Sequence, residues 1–252
     1  MSGRTEMKTA LAEAESTVYR VGFVCLTHAD TEAFGGRLGY GDLLSFYFAG
    51  RGGVLGDVDA GVVAAAMGFW EPGMVRAKWN AGIDVAAPRR AAHDYGRAIA
   101  AWGEHHLSDI TGTERLIELA GRVVAAADPS CVPLFAGWCA QLPAAAGPAR
   151  LMQLLFLLRE LRGGLHLAAT TAAGLSPLQA TLATGRPDLA HQLGWQGTLP
   201  DCTELAALRE QAEDTTDRLT ASVYDRALSP DERAEFIDLV AGVGARVFSA
   251  TH

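Results

Sequence analysis

The chain has 252 residues, of which 49% are hydrophobic and 20% are charged, and its formal net charge is −8 at pH 7. This composition excludes a disordered chain, and the length is enough for one large domain or two small ones whose core needs no disulfide or metal. Its 21 basic residues are spread along the sequence and are outnumbered by 29 acidic ones. This balance disfavours nucleic acid as the main partner.

The four cysteines, Cys25, Cys131, Cys139 and Cys202, form no Cys-x-x-Cys pair. Disulfide frameworks belong to small secreted chains that are dense in cysteine, so we expect reduced, structural thiols and neither a metal nor a cofactor. The N-terminal segment lacks the apolar core of a signal peptide, and no run reaches the ~18 apolar residues of a membrane span. These features predict a cytoplasmic protein without a membrane partner.

Helical signals dominate, because alanine is abundant and Gly or Pro recurs at helix-length intervals. In the first half we predict helices over 7–19, Tyr40–Arg51 and 57–70, helices that begin at Pro72 and Pro88, and a helix that has Thr113 as its N-cap. The helix over 57–70 is small and apolar on most faces, so we expect it to be buried. Segment 142–149 is rich in proline and is predicted to be a hinge between an N-terminal helical region, residues 1–145, and a C-terminal region, residues 146–252.

The second half opens with a strongly apolar helix from about Leu151, which we expect to lie inside the fold. Short helices are predicted to begin at Pro177 and Pro187, and a last helix follows Ser229. Between them, an amphipathic helix has a predicted apolar face made by Leu205, Leu208, Ala212, Thr215, Leu219 and Val223. The predicted fold class is therefore mainly α, a multi-helical fold with two lobes.

The charged end of the apolar helix, LRELRGGLHLAATTAAG over Leu158–Gly174, is the strongest candidate site. Arg159, Arg162 and His166 have the i, i+3, i+7 spacing that places three side chains on one helix face. Buried arginine is costly unless it is paired, and the partner is either a protein carboxylate or a ligand anion. Two interpretations stay open: an internal salt bridge with a satisfied core histidine, and a ligand-facing group of arginine and histidine.

Two further segments contribute candidate ligand contacts. Tyr47 and Arg51 share a helix face at i, i+4 spacing and are predicted to line the same pocket, whereas the glycine-rich turn after them lacks the rest of a P-loop. Trp70 and Glu71 lie at a helix break. Glu71 is either the partner of Arg51 or Arg162, or a carboxylate favoured by a helix N-terminus, and the second interpretation is slightly preferred.

Another helix ends in Glu104, His105 and His106. Neighbouring helical residues point about 100° apart and no HExxH motif is present, so a solvated helix end is preferred over a metal site. The sequence also lacks a Ser-His-Asp, GxSxG or Cys-His nucleophile signature.

The segments FYFAGRGGVLGDVDAGVV, FWEPGMV and LLRELRGGLHLAAT, with a later GW and a helix of REQAEDTTDRL type, resemble an actinobacterial helix-turn-helix family without established chemistry, over about Tyr19–Leu219. The resemblance implies a helical N-terminal region and a degenerate, winged-helix-like C-terminal region. Relatives have an aspartate where this chain has Gly164, and a further helix after the GW, at the place of a recognition helix. These departures disfavour DNA reading by this member.

Three functional hypotheses stay open. The first is a protein that binds a small organic ligand, with predicted contacts at Tyr47, Arg51, Trp70, Glu71 and Arg159. If it is an enzyme, it is a cofactor-free cyclase, isomerase or lyase acting on an anionic or phenolic specialised metabolite, with His166 as general acid or base and Arg162 stabilising negative charge. The second hypothesis is a ligand-responsive transcription regulator, suggested by the resemblance alone. The third is a structural or partner-binding helical protein, and a homodimer is compatible with each.

Overall fold

The structure is a computed structural model that describes the backbone of residues 2–249 and the side chains of residues 6, 7 and 9–249. Every regular element within this part of the chain is helical, which confirms the predicted all-α, multi-helical fold. The first eight helices are α1 (Ser2–Thr27), α2 (Ala29–Arg37), α3 (Leu43–Gly52), α4 (Ala60–Met67), α5 (Pro72–Ile83), α6 (Pro88–His106), α7 (Thr113–Ala126) and α8 (Pro133–Gln141).

The second half contributes five more helices, and its two short ones are followed directly by a loop. These helices are α9 (Gly147–Ala172), α10 (Pro177–Leu182), α11 (Pro187–Gln192), α12 (Ala206–Ala227) and α13 (Pro230–Ser249). The loop after α11 leads into a single 3-10 turn, Thr203–Leu205, and then into α12. No helix of the described chain has the length and apolar character that crossing a membrane requires.

Helix α9 is the central element of the fold. Its residues from Leu151 to Leu161 are all buried, and it packs against α1, α6, α7, α8 and α12. The prediction that this helix lies inside the fold is confirmed. Because every face of this stretch is covered, α9 carries Arg159 and Glu160 into the interior, where their charges need partners.

Two glycines allow close approach of neighbouring segments to the charged part of α9. A Cβ atom on Gly22 of α1 would lie 2.4 Å from Cδ of Arg159, and one on Gly164 would lie 2.5 Å from Cγ1 of Val132. A side chain at either position would collide with its neighbour. An aspartate at the position of Gly164 therefore has no room in this packing.

The main hydrophobic core is one cluster of buried side chains, the first in the sequence being Leu11 and the last Val247. Helices from both halves of the chain contribute to it. A second, smaller cluster of Leu182, Ala190 and Cys202 lies among α10, α11 and the loop that follows. Residues 142–146 join α8 to α9, whereas residues 147–149 of the predicted hinge segment form the start of α9. The division into two regions at this point stays a prediction.

Helices α4 and α12 differ from their predicted environments. Helix α4 is only partly buried, and Val62 is 49% exposed, so the prediction of a buried helix is wrong. In α12 the buried face is made by Ala212, Thr216, Thr220, Val223 and Tyr224, one position away from the predicted Thr215 and Leu219. Thr216 and Thr220 can be buried because each hydroxyl donates to the carbonyl oxygen four residues earlier, at 2.7 Å.

Candidate functional site

A cavity of about 1120 Å³ lies among α1, α3, α4, α9, α10, α11 and the start of α12. Much of its wall is apolar. Within the described chain, four large hydrophobic side chains are exposed, and three of them, Tyr19, Phe23 and Val62, line this cavity. The half-exposed apolar face of α4 is therefore cavity wall, and apolar surface open to solvent is concentrated at one place, as is typical of a small-molecule site.

At one side of the cavity, two arginines share one carboxylate. Glu160 on α9 is fully buried, and its two oxygens lie 3.0 and 3.1 Å from Nε of Arg51 on α3. Nη1 of Arg159 donates to the same carboxylate at 2.8 Å. The Arg159 guanidinium also lies over the Tyr19 ring, 4.9 Å from its centroid, and its buried Nε has no hydrogen-bond partner among the described residues. This group carries one positive charge more than its single carboxylate neutralises.

The charge of the cavity wall differs in sign from that of the whole chain. Its lining includes four arginines against two glutamates, although the protein carries a net charge of −8. Arg162 and Arg209 are both close to Glu213, so the unmatched positive charge lies at Arg51 and Arg159. A low-dielectric wall strengthens the attraction of such a charge for an anion.

Aromatic side chains continue the wall beside Arg51. The Tyr47 hydroxyl accepts a hydrogen bond from Nη1 of Arg51 at 2.6 Å, so its own proton is available to an acceptor in the cavity. Trp70 packs against Tyr47 and Phe48, with ring centroids 5.6 and 5.1 Å apart. The segment that carries Trp70 is held in place by Trp195, whose Nε1 donates to the carbonyl oxygen of Phe69 at 3.0 Å.

Arg162 lies among three carboxylates. Its Nη2 is 3.3 Å from Glu213 and 3.2 Å from Asp217, and its Nε is 3.7 Å from Glu15 on α1. Burial raises the pKa of Glu15 to about 8, since the attraction of Arg162 is weaker than the cost of desolvation and Asp217 adds repulsion. Arg162 is thus matched by protein groups, as the internal salt-bridge interpretation describes.

His166 lines the cavity one turn further along α9 and is held by Thr216. Its Nδ1 is 3.0 Å from the Thr216 hydroxyl, which already donates its proton to the carbonyl oxygen of Ala212. Thr216 therefore accepts from His166, so Nδ1 carries the hydrogen and Nε2 carries the lone pair. Burial lowers the pKa of His166, and the ring stacks on Phe69 at 5.5 Å. A neutral His166 thus presents an acceptor nitrogen.

Glu71 occupies a different position from the other predicted site residues. Its carboxylate accepts hydrogen bonds from the backbone N–H groups of Gly73, at 2.8 Å, and Met74, at 2.6 Å, and so caps the start of α5. The hypothesis that Glu71 is the partner of Arg51 or Arg162 is wrong, because Glu160 and the α12 carboxylates fill that role. Glu71 is also absent from the described lining of the cavity.

The structure brings the other predicted residues together around the cavity: Tyr47, Arg51, Trp70, Arg159, Arg162 and His166. Sequence reasoning missed their partners Glu160, Glu213 and Thr216. Glu160 was recognisable in the sequence, because it is an acidic residue that follows a strongly apolar helical segment and lies between Arg159 and Arg162. Glu213 and Thr216 had no such signal, because the apolar face of α12 was predicted to include Thr215 and Leu219 and not the neighbouring positions that the structure buries.

Comparison with known proteins gives one family. The profile of a helix-turn-helix family matches residues 12–252. Comparison with curated proteins finds no match, and comparison with solved structures finds none either. The match covers nearly all of the chain and includes every residue of the cavity wall named above. The chain therefore belongs to this helix-turn-helix family.

Proposed function

We propose that the protein binds, in this cavity, an apolar small molecule that carries one anionic oxygen group. The observation that carries the proposal is the pair of buried arginines, Arg51 and Arg159, which share the single carboxylate of Glu160 at the cavity wall. A carboxylate or phenolate of the ligand would match the remaining positive charge and would give the unpartnered Nε of Arg159 an acceptor.

The remaining groups suit the rest of such a molecule. Tyr47 donates its hydroxyl proton to the same anionic group, and the rings of Trp70 and Phe69 cover the apolar part. Nε2 of His166 accepts from a hydroxyl or an acidic C–H at the far end of the ligand. For a ligand that is turned over, His166 is the proton acceptor that we assign, and Arg159 stabilises developing negative charge in place of Arg162, whose charge is matched by Glu213 and Asp217.

Replacing Arg159 with glutamine is expected to weaken anion binding selectively. The probes are 8-anilino-1-naphthalenesulfonate (ANS) and N-phenyl-1-naphthylamine, which has the same ring system without the sulfonate. Loss of one charge-assisted contact should reduce ANS affinity about 10- to 100-fold and leave the affinity for the neutral probe within about twofold. Fluorescence titration of both probes on the wild type and the variant measures this difference.

The matched control is Arg76→Gln, which removes the same charge from an exposed position on α5 outside the cavity. It should leave the affinity for both probes unchanged. Equal losses of ANS affinity in the two variants would mean that the effect comes from overall charge. Parallel losses for the charged and the neutral probe in Arg159→Gln would mean that the variant damages the cavity itself, and either result would contradict the proposal.

A second candidate function, ligand-responsive regulation of transcription, rests on the family match. The family suggests nucleic acid as a partner class, and the composition argument against it has no support from the comparisons. Locally, Arg186 at the start of α11 pairs with Asp188 at 3.0 Å, so this pair contributes no excess of positive charge. A gel-shift assay with a mixed-sequence DNA duplex tests this candidate: regulation requires a retarded band at low salt that weakens as salt rises, and an unshifted duplex at every salt concentration would eliminate it.

A further inference from the structure

A second group of potential ligand atoms lies outside the cavity, where the α1–α2 junction meets the end of α6. His28 is the one residue between α1 and α2, Asp30 is in the first turn of α2, and His106 is the last residue of α6. One ligand atom from each residue can be chosen so that all three lie within 4.8 Å of one another. The chain thus brings two imidazoles and one carboxylate together, although Asp30 and His106 are 76 residues apart in the sequence.

The distances are close to those of a coordination shell. Oδ2 of Asp30 lies 2.7 Å from Nε2 of His106 and 3.4 Å from Nδ1 of His28. In a tetrahedral site with metal–ligand bonds of about 2.0–2.1 Å, ligand atoms are roughly 3.3 Å apart. Small side-chain shifts therefore place an ion between the three atoms.

The surroundings hold the ligands in place and leave space beside them. The His106 ring stacks on Trp102, with centroids 4.5 Å apart, and the next residue, Leu107, is fully buried. His28 caps α2, its Nδ1 accepting from the backbone N–H of Asp30 at 3.1 Å, a bond that a metal ion would replace. A cleft of about 210 Å³ lined by Asp30, Trp102 and His105 adjoins the group.

We propose that His28, Asp30 and His106 bind a divalent transition-metal ion of the Zn²⁺ class, with a fourth position open towards this cleft. Two imidazoles and one carboxylate are a ligand set suited to Zn²⁺, Co²⁺, Ni²⁺ or Cu²⁺, whereas Mg²⁺ and Ca²⁺ prefer oxygen ligands alone. The side chains of His28, Asp30 and His106 are 22–54% exposed, so an ion can reach them from solvent. The proposal is independent of the ligand that occupies the large cavity.

In the sequence, His105 and His106 are neighbours on one helix, and as a pair they do not suit a metal ion. The two rings meet edge to face, with centroids 4.7 Å apart and an angle of 84° between the ring planes. The additional ligands come from His28 and Asp30, which only the packing of α2 against α6 brings to His106. The spacing of neighbouring residues on one helix therefore carried no information about this site.

The test is a titration of the untagged full chain with Co²⁺, followed by its visible d–d absorption, and then displacement by Zn²⁺. Equilibrium dialysis with elemental analysis gives the stoichiometry. The wild type should bind one ion per chain. Asp30→Asn, which keeps the size of the side chain, and His106→Gln should each lower the affinity at least about tenfold, with circular dichroism spectra that match the wild type.

His93→Gln is the control, because His93 is an exposed histidine on the same helix α6, outside the group. It should retain the wild-type affinity and absorption. The proposal is overturned by the absence of d–d absorption in the wild type, by unchanged affinity in Asp30→Asn and His106→Gln, or by an equal loss in His93→Gln. If His106→Gln alone alters the fold, the Asp30→Asn result decides.

Discussion

Glu160→Gln is expected to lower the free energy of unfolding by about 3–5 kcal/mol, because it leaves two buried guanidinium groups without a counter-charge. Glu160 is fully buried and is the carboxylate that both Arg51 and Arg159 contact. Glutamine keeps the shape and one acceptor oxygen, so the loss comes from charge and not from a cavity. Urea denaturation followed by circular dichroism measures the change through the midpoint and the slope of the transition.

The control for this prediction is Glu118→Gln on α7. Glu118 also pairs with an arginine, Arg115 at 2.8 Å, but its side chain is 56% exposed. Exposed pairs contribute only about 0–1 kcal/mol. If Glu160→Gln and Glu118→Gln lower the free energy of unfolding equally, Glu160 does not stabilise the buried arginines Arg51 and Arg159 as the distances indicate.

Glu160→Gln should also bind ANS more tightly than the wild type in the absence of urea, because the variant lacks the carboxylate that competes with the sulfonate for the two arginines.

Stability is expected to fall as the pH rises from about 5 to about 8, through the titration of Glu15. Burial raises its pKa in the folded protein to about 8, while the ordinary value of 4.5 applies to the unfolded chain. Between these two pKa values the folded state holds a proton that the unfolded state has already released. The stability contributed by the protonated carboxyl is therefore fully present below the unfolded pKa and is lost as the pH rises to the folded pKa. The difference of pKa corresponds to a loss on the order of 4–5 kcal/mol.

Glu15→Gln isolates this effect, because it imitates the protonated carboxyl and does not titrate. The free energy of unfolding of both proteins, measured from pH 5 to pH 9, should be similar at pH 5 and should diverge as the pH rises, with the variant more stable at pH 9. Titration of His166 and other groups is common to both proteins and cancels in the difference. A difference that does not change with pH would show that Glu15 is ionised throughout, as a fourth member of the charged network of Arg162.

The helices were predictable where their signals are local. Pro72, Pro88, Pro177 and Pro187 each begin a helix, because proline suits the first helical turn whatever packs against it. Thr113 is the first residue of α7 and not its predicted N-cap, which is Gly112. Two helices, α2 and α8, were missed. Helix α8 also begins at a proline, Pro133, but this proline ends the segment DPSCVP, which we interpreted only as the stop of the preceding helix.

The candidate site was predictable in its arginines and histidine but not in their partners. A single helix face places Arg159, Arg162 and His166 together, and that periodicity is visible in the sequence. The carboxylate that joins Arg51 to Arg159 lies 109 residues from Arg51. Helix α3 packs on α6, which packs on α9, so only the tertiary fold decides which charge each arginine meets. The same is true of His106, whose neighbours His28 and Asp30 come from the other end of the N-terminal half.

The most direct test of the central claim is a crystal structure of the protein with ANS bound. We predict that the sulfonate lies within hydrogen-bonding distance of the Arg159 or Arg51 guanidinium, with the Tyr47 hydroxyl beside it and the rings against Trp70. Density for the probe at another surface, or inside the cavity with its sulfonate turned away from both arginines, would contradict the assignment of this cavity as a site for apolar anions.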